Sequence, residues 1–383
     1  MLSRREFLTK CGKGFFYLAV ASPLFRQEVC AYQQRRLEGK WGLVETKVSP
    51  YFQPLPGGEV QCLLCPRECV ISPGERGYCE VRENRGGKLY SLVYGNPCAV
   101  HIDPIEKKPF FHVLPGTLSF SIATTGCNFE CKFCQNWEIS QEVPERTFNF
   151  HLPPERVVQM AKDYGCPTIA STYVEPTIFF EYMYDVSILA KRKAILSIYH
   201  SNGFINPKPL DDLSHCLGAA CIDLKGFTED YYQKMTEGEL EPVLQTIKTL
   251  RRKGIHLELV NLMIPTKNDD METVRKMCLW IKAELGPDVP IHFTRFYPMY
   301  KLRNLPPTPV ETLERAREVA LSVGLEYVYI GNVPGHEGEN TYCPRCKKVL
   351  IARRGYFILA NNVIRGRCKF CGKEIPGIWQ EIS

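Results

Sequence analysis

From residue 117 onward the chain alternates short β-rich runs with helical patterns, and this alternation restricts the fold more than any other feature. Runs rich in apolar and β-branched residues fall at 117–124, 168–173, 194–199, 220–224, 257–263, 291–296 and 327–330. Helical patterns occupy 155–164, 179–191, 211–217, 240–253, 271–285 and 310–323. Repeated βα units cross over with one hand, so their strands run parallel and their helices lie outside. The expected fold is α/β, a full or partial (β/α) barrel over residues 116–335. In such folds the chemistry gathers at the C-terminal ends of the strands.

That rule gives weight to the residues just past each run. After the first comes Thr125-Gly126-Cys127-Asn128-Phe129-Glu130-Cys131-Lys132-Phe133-Cys134, a C-x3-C-x2-C spacing. Three thiolates can hold three irons of a [4Fe–4S] cube and leave the fourth iron open, whereas four-cysteine clusters carry electrons only. An open iron suits the amino and carboxylate groups of S-adenosylmethionine, whose reductive cleavage gives a 5′-deoxyadenosyl radical. Phe133 would lie beside the adenine. A three-cysteine zinc site or buried free thiols are the plainer alternatives. Glu175-Pro176 comes after the second run, His200-Ser201-Asn202-Gly203 after the third and Asp223-Leu224-Lys225-Gly226 at the fourth. Asn261 and Ile264-Pro265 close the fifth, and Arg295-Phe296-Tyr297-Pro298 ends the sixth. Polar residues thus converge on one rim.

The chain has 18 cysteines in 383 residues, and most sit in C-x2-C or C-x3-C pairs. That is metal-ligand spacing rather than a disulfide framework, and it suggests folding in a reducing place. Cys62, Cys65, Cys69 and Cys79 form a second candidate metal site in a cysteine-rich unit spanning 61–115. It suits zinc or a further iron–sulfur cluster; zinc is preferred, and Cys98 could replace one ligand. Cys343, Cys346, Cys368 and Cys371 make two C-x2-C knuckles in a zinc-ribbon-like tail, 336–383, which needs its metal to fold. Arg353, Arg354, Arg365, Arg367 and Lys369 make this tail basic. A solvated surface is favoured there over contact with RNA. Cys166, Cys216, Cys221 and Cys278 stand alone in apolar stretches and read as core residues. His101, His112 and His292 read as packed or surface histidines rather than ligands.

Net charge is +6 and 44% of residues are hydrophobic, so composition alone implies neither nucleic acid nor membrane. Ser3-Arg4-Arg5-Glu6-Phe7-Leu8-Thr9-Lys10 opens a twin-arginine-like targeting segment over 1–31, with cleavage near Ala19-Val20-Ala21 or Ala31. A basic amphipathic first helix is the alternative. The apolar run from 14 to 24 is too short to span a bilayer, so no transmembrane helix is expected. Residues 32–60 read as a linker. S-adenosylmethionine and low-potential electrons are cytoplasmic, which places cofactor loading and activity there. Export of the folded protein by the twin-arginine route is the alternative.

The barrel resembles radical S-adenosylmethionine enzymes of the group that includes pyruvate formate-lyase activating enzymes. From about residue 60 the chain is similar, more narrowly, to the radical enzyme of the AmmeMemoRadiSam system. The segments that carry this are Cys62-Leu63-Leu64-Cys65-Pro66-Arg67-Glu68-Cys69, Arg76-Gly77-Tyr78-Cys79, Asp103-Pro104-Ile105-Glu106-Lys107-Lys108-Pro109-Phe110, the cluster loop through Asn136, Tyr173-Val174-Glu175-Pro176-Thr177, and Arg295-Phe296-Tyr297-Pro298. The resemblance implies that Tyr173–Pro176 replaces a Gly-Gly-Glu-Pro segment, without its two glycines. Glu175 would then accept a hydrogen bond from the methionine ammonium. Asn202 would meet the methionine or ribose end, and Asp223 and Lys225 the ribose hydroxyls and the carboxylate. No residue is assigned to hydrogen abstraction itself. A low-potential electron donor and a peptide or protein substrate, as for glycyl-radical activases, are also implied. Radical modification of RNA, and a non-catalytic metal-binding interaction protein, are the competing functions.

Overall fold

The structure is a computed structural model that describes residues 37–379. The twin-arginine-like motif and its cleavage sites lie outside the described residues. Contacts divide the chain into Met1–Glu38 and Gly39–Ser383. Every strand and helix of the described residues belongs to the second unit.

Eight strands form the main sheet: β1 (Ala99–Pro104), β2 (Leu118–Ala123), β3 (Thr168–Ser171), β4 (Leu196–Ser201), β5 (Ala219–Asp223), β6 (His256–Met263), β7 (Ile291–Arg295) and β8 (Val328–Gly331). Each neighbours the next in chain order. From β2 to β8 all pairs are parallel, with registers such as Thr168↔Ser119 and Cys221↔Glu258. The order ends at β1 and β8 without closing on itself, so the barrel is partial. The parallel strands β2 to β8 are almost continuously buried, as strands covered on both faces must be.

The crossovers are helical: α1 (Pro154–Asp163), α2 (Phe180–Arg192), α3 (Pro207–Ser214), α4 (Glu229–Thr236), α5 (Leu240–Arg252), α6 (Met271–Leu285) and α7 (Val310–Ser322). Local chemistry sets their starts. Proline occupies the first turn of α1 and α3, where its missing N–H has no partner to lose. Thr228 and Asp270 cap α4 and α6 by accepting from the N–H of Tyr231 and Thr273. One face of each helix buries apolar residues, as with Val243, Leu244, Ile247 and Leu250 of α5. Among the described residues, no helix is long and apolar enough to cross a membrane.

Three regions depart from the sequence expectation. First, β1 lies inside the cysteine-rich stretch and pairs antiparallel with β2, from Ala99↔Ala123 to Pro104↔Leu118. The segment after it carries Ile105, Phe110 and Val113 into a core with Ala170, Ile198, Ala219 and Cys221 of the sheet. Second, the stretch read as a linker holds three short strands. Gly39–Trp41 pairs with Phe148–Phe150, Lys47–Val48 with Lys88–Ser91, and Phe52–Pro54 with Val60–Cys62.

Third, the tail is fused to the barrel. Its strands Thr341–Tyr342, Val349–Arg354 and Phe357–Asn361 form an antiparallel sheet. Leu350, Ile351, Cys343, Cys368 and Ile375 share one core with Phe111, Tyr327 and Tyr329. The backbones of Leu114 and Ile378 and of Ile378 and His112 are joined by hydrogen bonds of 2.7 Å. Arg353, expected on a solvated basic surface, is buried. Its guanidinium donates to Phe111 O and Thr341 Oγ1, both at 2.8 Å, and lies over the Phe111 ring. A run of arginines marks a basic segment, but β alternation turns this one inward.

Candidate active site

β2 ends at Ala123 and delivers the chain into the cysteine loop. Gly126 makes that turn at φ +90°, and a Cβ there would come within 2.6 Å of Cys79 O and 2.8 Å of the Val81 side chain. Only glycine fits both the dihedral and the space. The loop is strapped down by Glu130 N–H to Thr236 O at 2.9 Å and Lys132 N–H to Met235 O at 3.0 Å. Cys127 Sγ accepts from Phe129 N–H at 3.4 Å, and Cys134 Sγ lies 3.2 Å from Ser140 Oγ. Burial pushes the Cys127 thiol well above its usual pKa and Cys131 up to about 12, with Lys225 opposing at Cys131. A metal there must displace protons that burial otherwise keeps in place.

The ends of successive strands bring their polar residues to this loop. Cys127, Cys131, Cys134, Phe133, Glu175, Asn202, Asp223 and Lys225 all line one cavity of about 430 Å³. Glu175, just past β3, is buried, and its carboxylate is the centre of a dense set of donors. Oε1 accepts from Thr177 N at 3.0 Å, Thr177 Oγ1 at 2.6 Å and Ser201 Oγ at 2.7 Å. Oε2 accepts from Asn202 N at 2.7 Å. Burial raises the Glu175 pKa, and these hydrogen bonds oppose the rise.

Asn202 donates through Nδ2 to Asn128 Oδ1 and accepts at Oδ1 from Phe204 N, both at 2.8 Å. It therefore ties β4 to the cysteine loop, with one amide N–H to spare. Asp223, at the end of β5, bonds Lys225 Nζ at 2.8 Å and His200 Nε2 at 3.0 Å. Burial would raise the Asp223 pKa, but Lys225 and His200 hold it well below the carboxylate range. Burial likewise opposes the Lys225 charge, yet Asp223 and the Cys131 sulfur raise its pKa. Phe133 is buried on the same wall, with Lys225 Nζ 5.8 Å from its ring.

The other two cysteine groups lie elsewhere. Cys62, Cys65, Cys69 and Cys79 line a separate small cavity, and Cys98 is outside it, its thiol donating to Ala123 O. In the tail, the sulfurs of Cys343, Cys346, Cys368 and Cys371 all fall within 4.8 Å of one another. Cys166, Cys216, Cys221 and Cys278 are buried, as their apolar settings suggest. So are His112 and His292, bonded to Tyr329 and Glu258.

The Radical SAM superfamily profile matches residues 121–278, which include the cysteine loop and the strand ends carrying Glu175, Asn202, Asp223 and Lys225. A relative from Methanocaldococcus jannaschii, "Uncharacterized protein MJ0808", is 46% identical over 327 residues, 85% of this chain and 97% of that one. The chain belongs to the radical SAM superfamily. A second M. jannaschii relative, "Uncharacterized protein MJ0674", is 24% identical over 282 residues, 70% of this chain and 76% of that one. Among solved structures, a domain of pyruvate-formate lyase-activating enzyme from Bacteroides vulgatus aligns with TM-score 0.38 and 15% identity, covering 43% of this chain and 98% of that one. Streptococcus suis SuiB bound to S-adenosylmethionine aligns with TM-score 0.45 and 12% identity, covering 55% and 49%. The protein is an enzyme of this superfamily, whose members use a [4Fe–4S] cluster and S-adenosylmethionine.

Two of the segments that carry the resemblance also supply a part of the cavity lining to which the sequence assigns no role. Lys108 is buried there, its Nζ 2.6 Å from Asp103 and 3.9 Å from the Tyr173 ring centre. Tyr173 hydroxyl donates to the same carboxylate. Burial pushes the Lys108 ammonium down to about 8 while Asp103 opposes. The clue in the sequence is four charges in six residues, Asp103 to Lys108, set inside an otherwise apolar stretch.

Proposed function

We propose that this radical SAM enzyme abstracts hydrogen from a peptide or protein substrate, in the manner of a glycyl-radical activase. The observation that carries this is the single cavity shared by three cysteines, Glu175 and the Asp223–Lys225 pair. The donor set fits the cofactors. Three thiols face the cavity, while the two histidines on its lining are engaged by Asp223 and Glu258. Cys127, Cys131 and Cys134 would hold the cluster, and S-adenosylmethionine would sit against Phe133, Glu175, Asn202, Asp223 and Lys225. Held by these three cysteines, a reduced cluster would supply the single electron for cleaving S-adenosylmethionine to methionine and a 5′-deoxyadenosyl radical, the hydrogen-abstracting agent.

The protein's own part is positioning and exclusion of water. Glu175 Oε2, with one donor from the chain, keeps a lone pair for the methionine ammonium. Asp223 and Lys225 offer hydroxyl and carboxylate partners without leaving a lone buried charge. At about 430 Å³ the cavity matches one small-molecule site. With the cofactors in place, little space remains, so a substrate would enter from the open rim as a narrow protrusion, which suits a peptide loop.

We also assign one structural zinc to the tail. Cys343 and Cys371 Sγ are 3.6 Å apart, and Cys346 and Cys368 Sγ 3.7 Å. A tetrahedron with Zn–S bonds of about 2.3 Å has edges of about 3.8 Å, whereas the corners of an iron–sulfur cube lie farther apart.

The test is anaerobic reconstitution and reduction, with uniformly deuterated protein, RNA and small-molecule fractions of a cell extract offered separately. Deuterium should pass into 5′-deoxyadenosine from the protein fraction. Transfer from only another fraction would refute the peptide reading.

A further inference from the structure

The cysteine-rich unit packs directly against the catalytic loop. Strand Val60–Cys62 turns back through Val70–Ile71, and Cys62 N–H bonds Cys69 O at 2.9 Å, which brings those two thiols to the same end of a hairpin. Gly77 lies beside Cys69: a Cβ on it would stand at ordinary contact distance, 3.6 Å, from the Cys69 sulfur. Cys79 comes on the next turn. All four cysteines line one cavity of about 20 Å³, with Arg82 and Asn128. None of the four forms a disulfide.

Two observations bear on what the cavity takes. Among the described residues, only the tail quartet brings three or more ligand atoms within 4.8 Å of one another, so these four sulfurs do not close on one point. A single tetrahedral ion would draw them to edges of about 3.8 Å and leave no room between them. A cube sets its ligands farther apart, and iron–sulfur bonds are much shorter than contact distances, so the cube needs little clear space. The second observation is Arg82. It is buried, and its terminal nitrogens are taken by Glu181, Ser49 and Ile178 O. Its Nε–H has no partner. A buried, unpaired N–H on the wall of a four-thiol cavity asks for an anionic acceptor, and a cluster's sulfur is one.

We propose that Cys62, Cys65, Cys69 and Cys79 hold a second [4Fe–4S] cluster, closed by four thiolates, which relays single electrons to the catalytic cluster. The path is short. Cys79 O packs on Gly126, whose next residue is Cys127. Arg67 Nε donates to Asn128 O at 2.7 Å, and Asn128 bonds Asn202. On the outer side Tyr78 and Val70 are 37% and 58% exposed, so a donor can approach. The step moves one electron: a low-potential one-electron protein carrier of the ferredoxin or flavodoxin type is oxidised, the relay is reduced, and the electron passes on with no bond made and no proton moved. The relay role rests on the radical function proposed for the main cavity; the occupancy of the site does not.

The test uses the full chain, purified and reconstituted without oxygen. Cys127→Ala/Cys131→Ala/Cys134→Ala should keep about four irons and about four sulfides per chain, beside the tail metal. One extra zinc, one iron, or no metal at these cysteines would overturn the proposal. In the unaltered protein, which avoids any folding defect of the variant, two reduced-cluster EPR signals are expected. S-adenosylmethionine should shift one and leave the other, and a single signal that shifts completely refutes the site. For the relay, protein reduced fully and then freed of reductant should form about two equivalents of 5′-deoxyadenosine per chain. One equivalent would remove the relay and leave the site. None, with the irons still present, would instead remove the catalytic reading and the relay with it.

Discussion

Replacing Glu175 by glutamine should weaken S-adenosylmethionine binding without removing the cluster. The carboxylate carries two kinds of bond. On Oε1 it gathers Thr177 N, Thr177 Oγ1 and Ser201 Oγ between 2.6 and 3.0 Å, with Tyr199 OH at 3.3 Å. On Oε2 it takes only Asn202 N from the chain. An alanine would strand all these buried donors, and each unsatisfied group costs about 1–3 kcal/mol, so Glu175→Ala confounds binding with folding. Glutamine can keep its amide oxygen where Oε1 stands. Its amide nitrogen then faces the Asn202 N–H and the methionine ammonium, which are both donors. The loss of one charge-assisted bond is worth about 1.5–3 kcal/mol, roughly a ten- to hundredfold rise in Kd. Equilibrium binding of S-adenosylmethionine to the anaerobic protein measures this, with iron content checked in each sample. Equal affinity at equal iron would refute the placement of Glu175 in the cofactor site.

Three further outcomes are expected. Cys127→Ala/Cys131→Ala/Cys134→Ala should abolish 5′-deoxyadenosine formation and lower iron by about four per chain, while the tail metal stays; product from this variant would rule out the catalytic cluster. Cys343→Ser should release one metal ion and lower the melting temperature of the whole chain, because the ribbon shares its core with Phe111, Tyr327 and Tyr329; a separate early calorimetric transition for the tail would contradict that. Burial pushes the His112 imidazole down to about 3, so between its unfolded value near 6.5 and that point only the unfolded chain takes up its proton. Stability should therefore fall with falling pH across this window, by about 2 kcal/mol from pH 7 to pH 5 for this group. His112→Gln should remove that part of the loss, and denaturation curves at the two pH values decide it.

The sheet is legible in the sequence because each strand is short, apolar and succeeded by a helix long enough to cross back, and parallel order comes from that alternation. The rim is legible for the same reason: Cys127, Glu175, Asn202 and Asp223 each stand at or past the end of a strand that periodicity locates. The hidden parts depend on contacts between distant segments. Nothing local in Ala99–Pro104 announces an antiparallel partner for β2, because its glycine- and cysteine-rich surroundings obscure the strand pattern. Arg353 lies in a basic run, and only the carbonyl of Phe111, 242 residues earlier, explains its burial. The helix Glu229–Thr236 escapes a periodicity search because its polar, tyrosine-rich sequence lacks a clean apolar stripe, although Thr228 marks its start. The tail's knuckles are plain in the sequence, but not that Leu350, Ile351 and Ile375 find their apolar partners on the barrel.

Tyr173 shows how a departure from a family pattern can keep the pattern's geometry. The resemblance places it where related enzymes have glycine, next to the glutamate. Here its φ is +67°, the left-handed conformation that glycine adopts freely and a tyrosine does not. A non-glycine residue held there costs on the order of 1–3 kcal/mol unless its surroundings fix it. They do so from three sides: Asn136 Nδ2 holds the Tyr173 carbonyl at 2.6 Å, Asp103 accepts from its hydroxyl, and Lys108 lies over its ring. The turn that presents Glu175 is thereby kept without glycine. Asn136 belongs to the cysteine loop and Asp103 to β1, so the same contacts lock both to β3. Where glycines would leave only backbone, this chain sets an aromatic ring beneath an ammonium. Tyr173 and Lys108 both line the cavity, so a substrate that reaches it meets this fixed pair of ring and ammonium.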